Sequence, residues 1–312
     1  MNQQNSIWLP EAASTIAGDV DALFYFILIT SVILFVGVVT TMAFFAWRFR
    51  RRNPNDRPEP VHENKLVEAS WIVVPSILVA VVFVWGFKLF LELGIAPPNS
   101  YEVNVTARKW SWSFSYPNGV VSTDLHVPVN RPIKLRMSSD DVIHSFFVPA
   151  FRVKADVLQG RYSYVWFEAT KKDTFIVACT EYCGTSHSDM YARVITHSQD
   201  DFENWLVESL PDDNLTPTQR GEILYTQQAC FGCHSLDGAV SAGPTFLGLA
   251  GSTRNFADGT SAVADDNYLR TSITNPALQL VEGYPNVMPG QYAVTMSSEE
   301  IDALVAFINE QQ

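Results

Sequence analysis

The chain has 312 residues, 47% of them hydrophobic and 17% charged, and is long enough for more than one domain. Its net charge of −12 argues against nucleic acid as a partner, because phosphate binding needs clustered Lys and Arg. The acidity is uneven: Pro211 to Gln312 carries three Arg and no Lys against twelve Asp or Glu, a net −9, so the tail reads as a separate acidic unit.

Two segments read as membrane spans. No charge appears from Ala22 to Trp47 or from Ala69 to Phe87, and each run is long enough to cross a bilayer of roughly 30 Å as a helix. Pro75 is tolerable inside a spanning helix, and Lys88 can snorkel from its end. A cleaved signal peptide fits less well: the first run is too long, and its basic cluster follows it. That cluster, Arg48 to Arg52 ("RFRRR"), faces only acids across the span, namely Glu11, Asp19 and Asp21. The positive-inside rule then puts the loop between the spans in the cytoplasm and both termini outside. The N-terminal tail and hairpin are assigned to residues 1–99, with spans at about 22–47 and 69–91.

After the linker "GIAPPNS" the pattern turns to alternation. Tyr101, Val103, Val105 and Ala107 share one face, as do Trp110, Trp112, Phe114 and Tyr116. The phase slips at Arg108–Lys109, which predicts a bulge or a corner. A turn at Pro117–Gly119 and further short strands ("IKLRM", "YSYVWFEA", "TFIVACT", "YARVIT") predict a β sandwich or barrel over 100–197. A short helix and the linker "PDDNLTP" cover 198–216. Residues 217–312 form a small helical domain with Gly- and Pro-rich loops. Pro217 opens its first helix and a Ser297/Glu300 capping box opens its last.

The four cysteines form two close pairs, Cys179/Cys183 and Cys230/Cys233, which suggests two local sites rather than a disulfide framework. "CFGCH", Cys230 to His234, is the attachment signature of a c-type haem: two thiols for the vinyl groups and His234 beneath the iron. No His follows His234, so the sixth ligand is Met288 or Met296. Met288 is preferred, since Pro289 keeps its loop extended. Thioether ligation suits electron transfer. Residues 212–312 resemble a class I cytochrome c, with the motif on a first helix, the loop "AGPTFLG", a Met-Pro loop and a C-terminal helix. The resemblance implies that Pro244 accepts a hydrogen bond from His234.

"CTEYCGTSHSDM", Cys179 to Met190, holds two thiols, an imidazole and a thioether. Read alone it could be a staple or a zinc loop. Soft thiolates with imidazole and thioether point to copper electron transfer, and two thiolates side by side can bridge two coppers. A further histidine has to come from another loop, and His144 in "DDVIHSFFVP" is the candidate.

These two motifs behind two spans resemble subunit II of the haem-copper cytochrome c oxidases, here with a fused cytochrome c domain (a caa-type oxidase). The resemblance implies a cupredoxin-like domain with two copper ions bridged by Cys179 and Cys183. His144 and His187 would be terminal ligands, Met190 a weak one, and the Glu181 carbonyl another. It further implies a magnesium at the Glu181 carboxylate, electron input at Trp110 in "KWSWSFSY", and a proton-pathway role for Glu68. The expected architecture is a two-helix transmembrane hairpin, an all-β sandwich or barrel and an all-α cytochrome c domain. The expected partners are catalytic subunit I, further membrane subunits and the lipid bilayer. An external donor (cytochrome, iron-sulfur protein or reductase complex) completes the set. The expected location is a bacterial-type cytoplasmic membrane, with both folded domains on its outer side. Two rivals remain at this point: the electron-input subunit of a nitric oxide reductase, and a membrane-anchored copper-binding or assembly module.

Overall fold

The computed structural model describes residues 7–53, 55, 57, 63–210, 214–290 and 292–311. Pro211–Asp213 of the expected linker lie outside them.

Helix α1 (Ala17–Arg48) and helix α2 (Lys65–Gly94) contain both expected spans and extend past them. Asp19 in the first turn of α1 and Arg48 in its last match the helix dipole. The Asn64 side chain caps α2 by accepting from Leu66 N and Val67 N. The hairpin closes through Phe26 against Trp85, ring centroids 5.9 Å apart, and through Gly86, which faces the Leu23 side chain. The other apolar side chains mostly point outward, as lipid-facing helices require.

The β domain consists of β1 (Tyr101–Arg108), β2 (Ser111–Ser115), β3 (Val121–Ser122), β4 (Leu125–Pro128), β5 (Pro132–Ser139), β6 (His144–Val148), β7 (Val153–Val157), β8 (Ser163–Glu168), β9 (Thr174–Cys179) and β10 (Tyr191–His197). They form two five-stranded sheets, ordered β3-β2-β1-β5-β8 and β4-β10-β9-β6-β7. Alternation puts Val103, Val105 and Ala107 of β1 and Trp112 and Phe114 of β2 inward. They meet Phe146, Val177 and Val194 of the other sheet in one core. Trp112 stands edge-on to Phe146 at 5.5 Å. The phase slip predicted at Arg108–Lys109 is a two-residue turn, with Arg108 paired to Ser111 across it.

One expectation needs revision. The segment before α1 is not only a tail. Ala13 N donates to Ala150 O (2.9 Å), Thr15 N to Glu168 O (3.0 Å) and Thr170 N to Ala13 O (2.9 Å). Ala13 is fully buried in the β core. Arg152 clamps this strap, donating to Pro10 O (2.7 Å) and, from Nε and Nη2, to both carboxylate oxygens of Asp21 (2.7 and 2.9 Å). The hydrophobic run says nothing of this contact, because the strap's partners lie more than a hundred residues downstream.

Helix α3 (Gln199–Glu208) packs on the β domain, and α4 (Pro217–Gln227), α5 (Asp266–Thr274), α6 (Tyr292–Thr295) and α7 (Ser298–Asn309) build the C-terminal domain. Both capping boxes are present, Thr216/Gln219 and Ser297/Glu300. Helix α4 crosses α7 at Gly221, where a Cβ would stand 2.0 Å from Ala303 O, so only glycine permits this approach. The "CFGCH" motif is not on the first helix. Helix α4 stops at Gln227, Ala229 takes φ +56°, and Cys230–Gly232 form a separate 3₁₀ turn.

Candidate metal centres

Strand β9 ends at Cys179, and its neighbour β6 begins at His144; Phe146 pairs with Cys179 across the ladder. The chain then loops out and returns, with Cys179 N donating to Met190 O (3.2 Å) and His187 N to Gly184 O (3.1 Å). The loop brings the donors together. The two Sγ atoms are 3.8 Å apart, far beyond a disulfide bond. Cys179 Sγ lies 3.9 Å from His144 Nδ1 and 3.3 Å from Glu181 O. Cys183 Sγ lies 3.5 Å from His187 Nδ1 and 3.7 Å from Met190 Sδ. His144 and Met190 are fully buried. The donor atoms of His144, Cys179 and Cys183 all fall within 4.8 Å of one another. Two soft thiols flanked by imidazoles and a thioether fit copper.

The charge environment is asymmetric. Burial opposes the Cys179 thiolate, but hydrogen bonds from His144 and the neighbouring backbone outweigh it, so its pKa falls. Burial and the nearby Cys179 push Cys183 up. Burial likewise opposes the charged form of His144, and Asp141 overcomes it and raises the pKa. Asp141 is absent from the sequence-derived candidates. Its Oδ1 lies 2.8 Å from His144 Nε2, and its Oδ2 accepts from Lys109 N (2.7 Å). It turns the Nδ1 edge of His144 toward the thiols, the kind of carboxylate–histidine support that metal ligands use. The doubled Asp three residues before His144 is the signal that could have pointed to it.

In the C-terminal domain, Cys230, Cys233, His234 and Met288 line one cavity of about 1180 Å³, its open mouth included. Pro244 O accepts from His234 Nδ1 at 2.7 Å, which leaves Nε2 as the free nitrogen. Burial lowers the His234 pKa, so the ring stays neutral. Gly243 lets its loop lie on the ring, since a Cβ there would stand 2.7 Å from His234 Cε1. The buried Nε of Arg254, which also lines the cavity, has no hydrogen-bond partner among the described residues. Paired thiols, a neutral imidazole and a thioether around an apolar void fit a covalently attached haem. Met296 is buried in the surrounding core, whereas Met288 faces the cavity.

Trp110 sits between the two sites. A Cβ on Gly184, next to Cys183, would stand 3.2 Å from the Trp110 ring; one on Gly232, between the haem-type cysteines, would stand 3.9 Å from Trp110 N. Cys233 and Ala242 pack against the β core. The Glu181 side chain is exposed on the copper-type loop, and Glu68 lies in the first turn of α2, apart from both sites.

Family profiles match the chain in the same order as its parts. Residues 2–89 match the cytochrome c oxidase subunit II transmembrane domain, 119–198 its periplasmic domain, and 218–312 cytochrome c. The cytochrome c oxidase subunit 2 of Alkalihalophilus pseudofirmus is 31% identical over 293 residues, covering 89% of this chain and 83% of that one. The chain belongs to the cytochrome c oxidase subunit II family. Subunit 2 of Thermostichus vulcanus is 30% identical over 63% of this chain and 77% of its own. The crystal structure of the periplasmic domain of subunit II from Bradyrhizobium japonicum is 29% identical, covering 37% of this chain and 96% of its own, with a TM-score of 0.36. As a subunit II with a fused cytochrome c domain, the chain is one component of a cytochrome c oxidase. Its two extramembrane domain types imply copper and haem binding, and a subunit I partner.

Proposed function

We propose that this chain is the electron-input subunit of a terminal respiratory oxidase. It takes electrons from an external donor at its C-terminal domain and passes them through its β domain to the subunit that reduces dioxygen and pumps protons. The contact of Trp110 with both the copper-type loop and the haem-attachment turn carries this reading. Haem and a pair of coppers, when bound, supply one-electron chemistry with little rearrangement.

The chain's own residues prepare for that chemistry. Cys179 and Cys183 would hold the coppers, with His144, His187, Met190 and the Glu181 carbonyl completing the donor set. The β ladders position these groups through backbone pairing. Cys230 and Cys233 would anchor the haem, with His234, oriented by Pro244, and Met288 as its iron ligands. The exposed Glu181 carboxylate would hold a magnesium shared with subunit I. Glu68, at the far end of the hairpin, serves a proton pathway. The basic cluster after α1 favours both folded domains on the outer side of the membrane. Tethering the cytochrome replaces diffusional docking with a high effective concentration.

Electron paramagnetic resonance tests the copper assignment. The oxidised chain is expected to show a mixed-valence signal split by two equivalent coppers, and Cys183→Ser is expected to abolish that pattern. A four-line mononuclear signal in the wild type would refute it. Oxygen rather than nitric oxide consumption by the purified complex separates the oxidase from the reductase reading.

A further inference from the structure

The β1–β2 turn, Arg108 to Ser111, is held from both extramembrane domains. On the β side, Arg108 Nε donates to Asp140, and Asp141 accepts from Lys109 N while also bonding His144. On the helical side, Arg108 Nη1 donates to Gln228 Oε1 at 3.1 Å, across 120 residues of sequence. Gln228 immediately follows α4 and precedes Ala229, whose left-handed backbone swings the chain into Cys230. The bond to Gln228 therefore grips the hinge from which the haem-attachment turn hangs. Next to it, Gly232 approaches the Trp110 backbone, where a Cβ would stand 3.9 Å from Trp110 N, and Cys233 rests on the β core. Arg108 also forms part of the wall of the cavity that holds Cys230 and His234.

A guanidinium is a rigid planar fork, so one residue can fix distance and angle on two sides at once. Here one edge is neutralised by Asp140 and the other meets a neutral amide. Among the described residues no ion pair joins the β domain to the acidic C-terminal domain. The register between them thus rests on hydrogen-bond geometry and close packing rather than on net charge.

We propose that Arg108 is a cross-domain positioning residue: held by Asp140, it registers Gln228 so that the turn carrying Cys230 and Cys233 seats on Trp110. The proposal rests on the electron-relay reading and specifies what sets its internal geometry. Asp140 and Asp141 extend the same arrangement to His144, so the turn that receives the haem domain and the histidine at the thiols share one support.

The test uses the complete oxidase, with one electron delivered to the oxidised haem by a photoexcited reductant and its onward passage to the oxidised copper centre followed optically. Arg108→Leu and Gln228→Leu are each expected to slow that passage about tenfold, the population equivalent of one charge-assisted hydrogen bond, with the copper resonance signal unchanged. Gln228→Glu retains an acceptor and is expected to keep the wild-type rate at low salt but to lose it as salt rises, whereas the wild type stays flat. Hydrogen exchange over residues 108–112 in the haem-attached, copper-free chain gives a readout independent of electron flow, and is expected to quicken in both Leu variants. Wild-type rates and protection in both variants would overturn the clamp. A wild-type chain that passes no electron between the sites would overturn the relay reading instead, and the exchange data would then decide the clamp.

Discussion

Cys179 and Cys183 sit among closely packed side chains of the β core, whereas Cys230 and Cys233 line a cavity of the helical domain. The first pair hangs from a ladder whose backbone bonds need no metal, next to the buried Val177, Met190 and Val194. The second pair belongs to a domain whose core residues Leu249, Leu269 and Ile273 line the same open-mouthed cavity. A group of matching shape bound there would supply dispersion contacts to the side chains that line the cavity. The contrast teaches that sheet pairing fixes the thiols of the β domain, whereas the core of the helical domain is built around the place its group would take.

The largest expected effect attacks that contrast directly. With Cys230→Ser and Cys233→Ser together, haem cannot attach. Hydrogen-exchange protection across 217–311 is expected to collapse, with 101–197 unaffected. A C-terminal domain that stays fully protected without haem would erase the distinction.

A smaller effect sharpens the preorganisation of the β site. Asp141→Ala removes the acceptor facing His144 and the partner of Lys109 N and Val142 N. Copper affinity is expected to drop about 10- to 100-fold, with altered hyperfine splitting but an unchanged haem spectrum. Copper titration monitored by resonance checks this, and an affinity equal to wild type would mean that the sheet alone orients His144.

The smallest effect concerns the base from which the tether leaves. His126 stacks on Trp205 of α3 with centroids 4.0 Å apart, and its Nδ1 is 2.9 Å from His197 Nε2. Burial first, then His197, holds the His126 pKa down at about 4. The unfolded chain therefore takes up the proton first, and stability is lost as pH falls from about 6.5 through about 4. His126→Phe keeps a ring on Trp205 and is expected to flatten the pH dependence of the β-domain melting temperature in that window. A wild-type melting temperature that rises as pH falls there would contradict it.

Much of the architecture was legible because it follows from period and punctuation. Uncharged runs, alternating strands and a Ser/Glu capping box each announce a local structure, and α1, α2, β1, β2 and α7 formed where those signals lie. The haem-type and copper-type motifs were legible because ligand spacing is itself local. The end of α4 was not. Helical periodicity continued through "QQACFGC", but Ala229 adopts a left-handed conformation that its side chain does not advertise. The N-terminal strap, Asp141 and the Arg108–Gln228 bond were illegible for a related reason: each is a partnership between groups whose meaning depends on a distant or cross-domain contact.

The sequence by itself determined which groups exist and which lie close along the chain: two spans, two thiol pairs, one haem-type motif and a thioether for each site. Tertiary structure alone decided that His144 arrives beside Cys179, that Asp141 turns its ring, and that Trp110 lies between the two thiol-bearing loops. The physical reason is that hydrophobic pattern and propensity act over a few residues, while these contacts are set by sheet pairing and close packing between segments tens of residues apart.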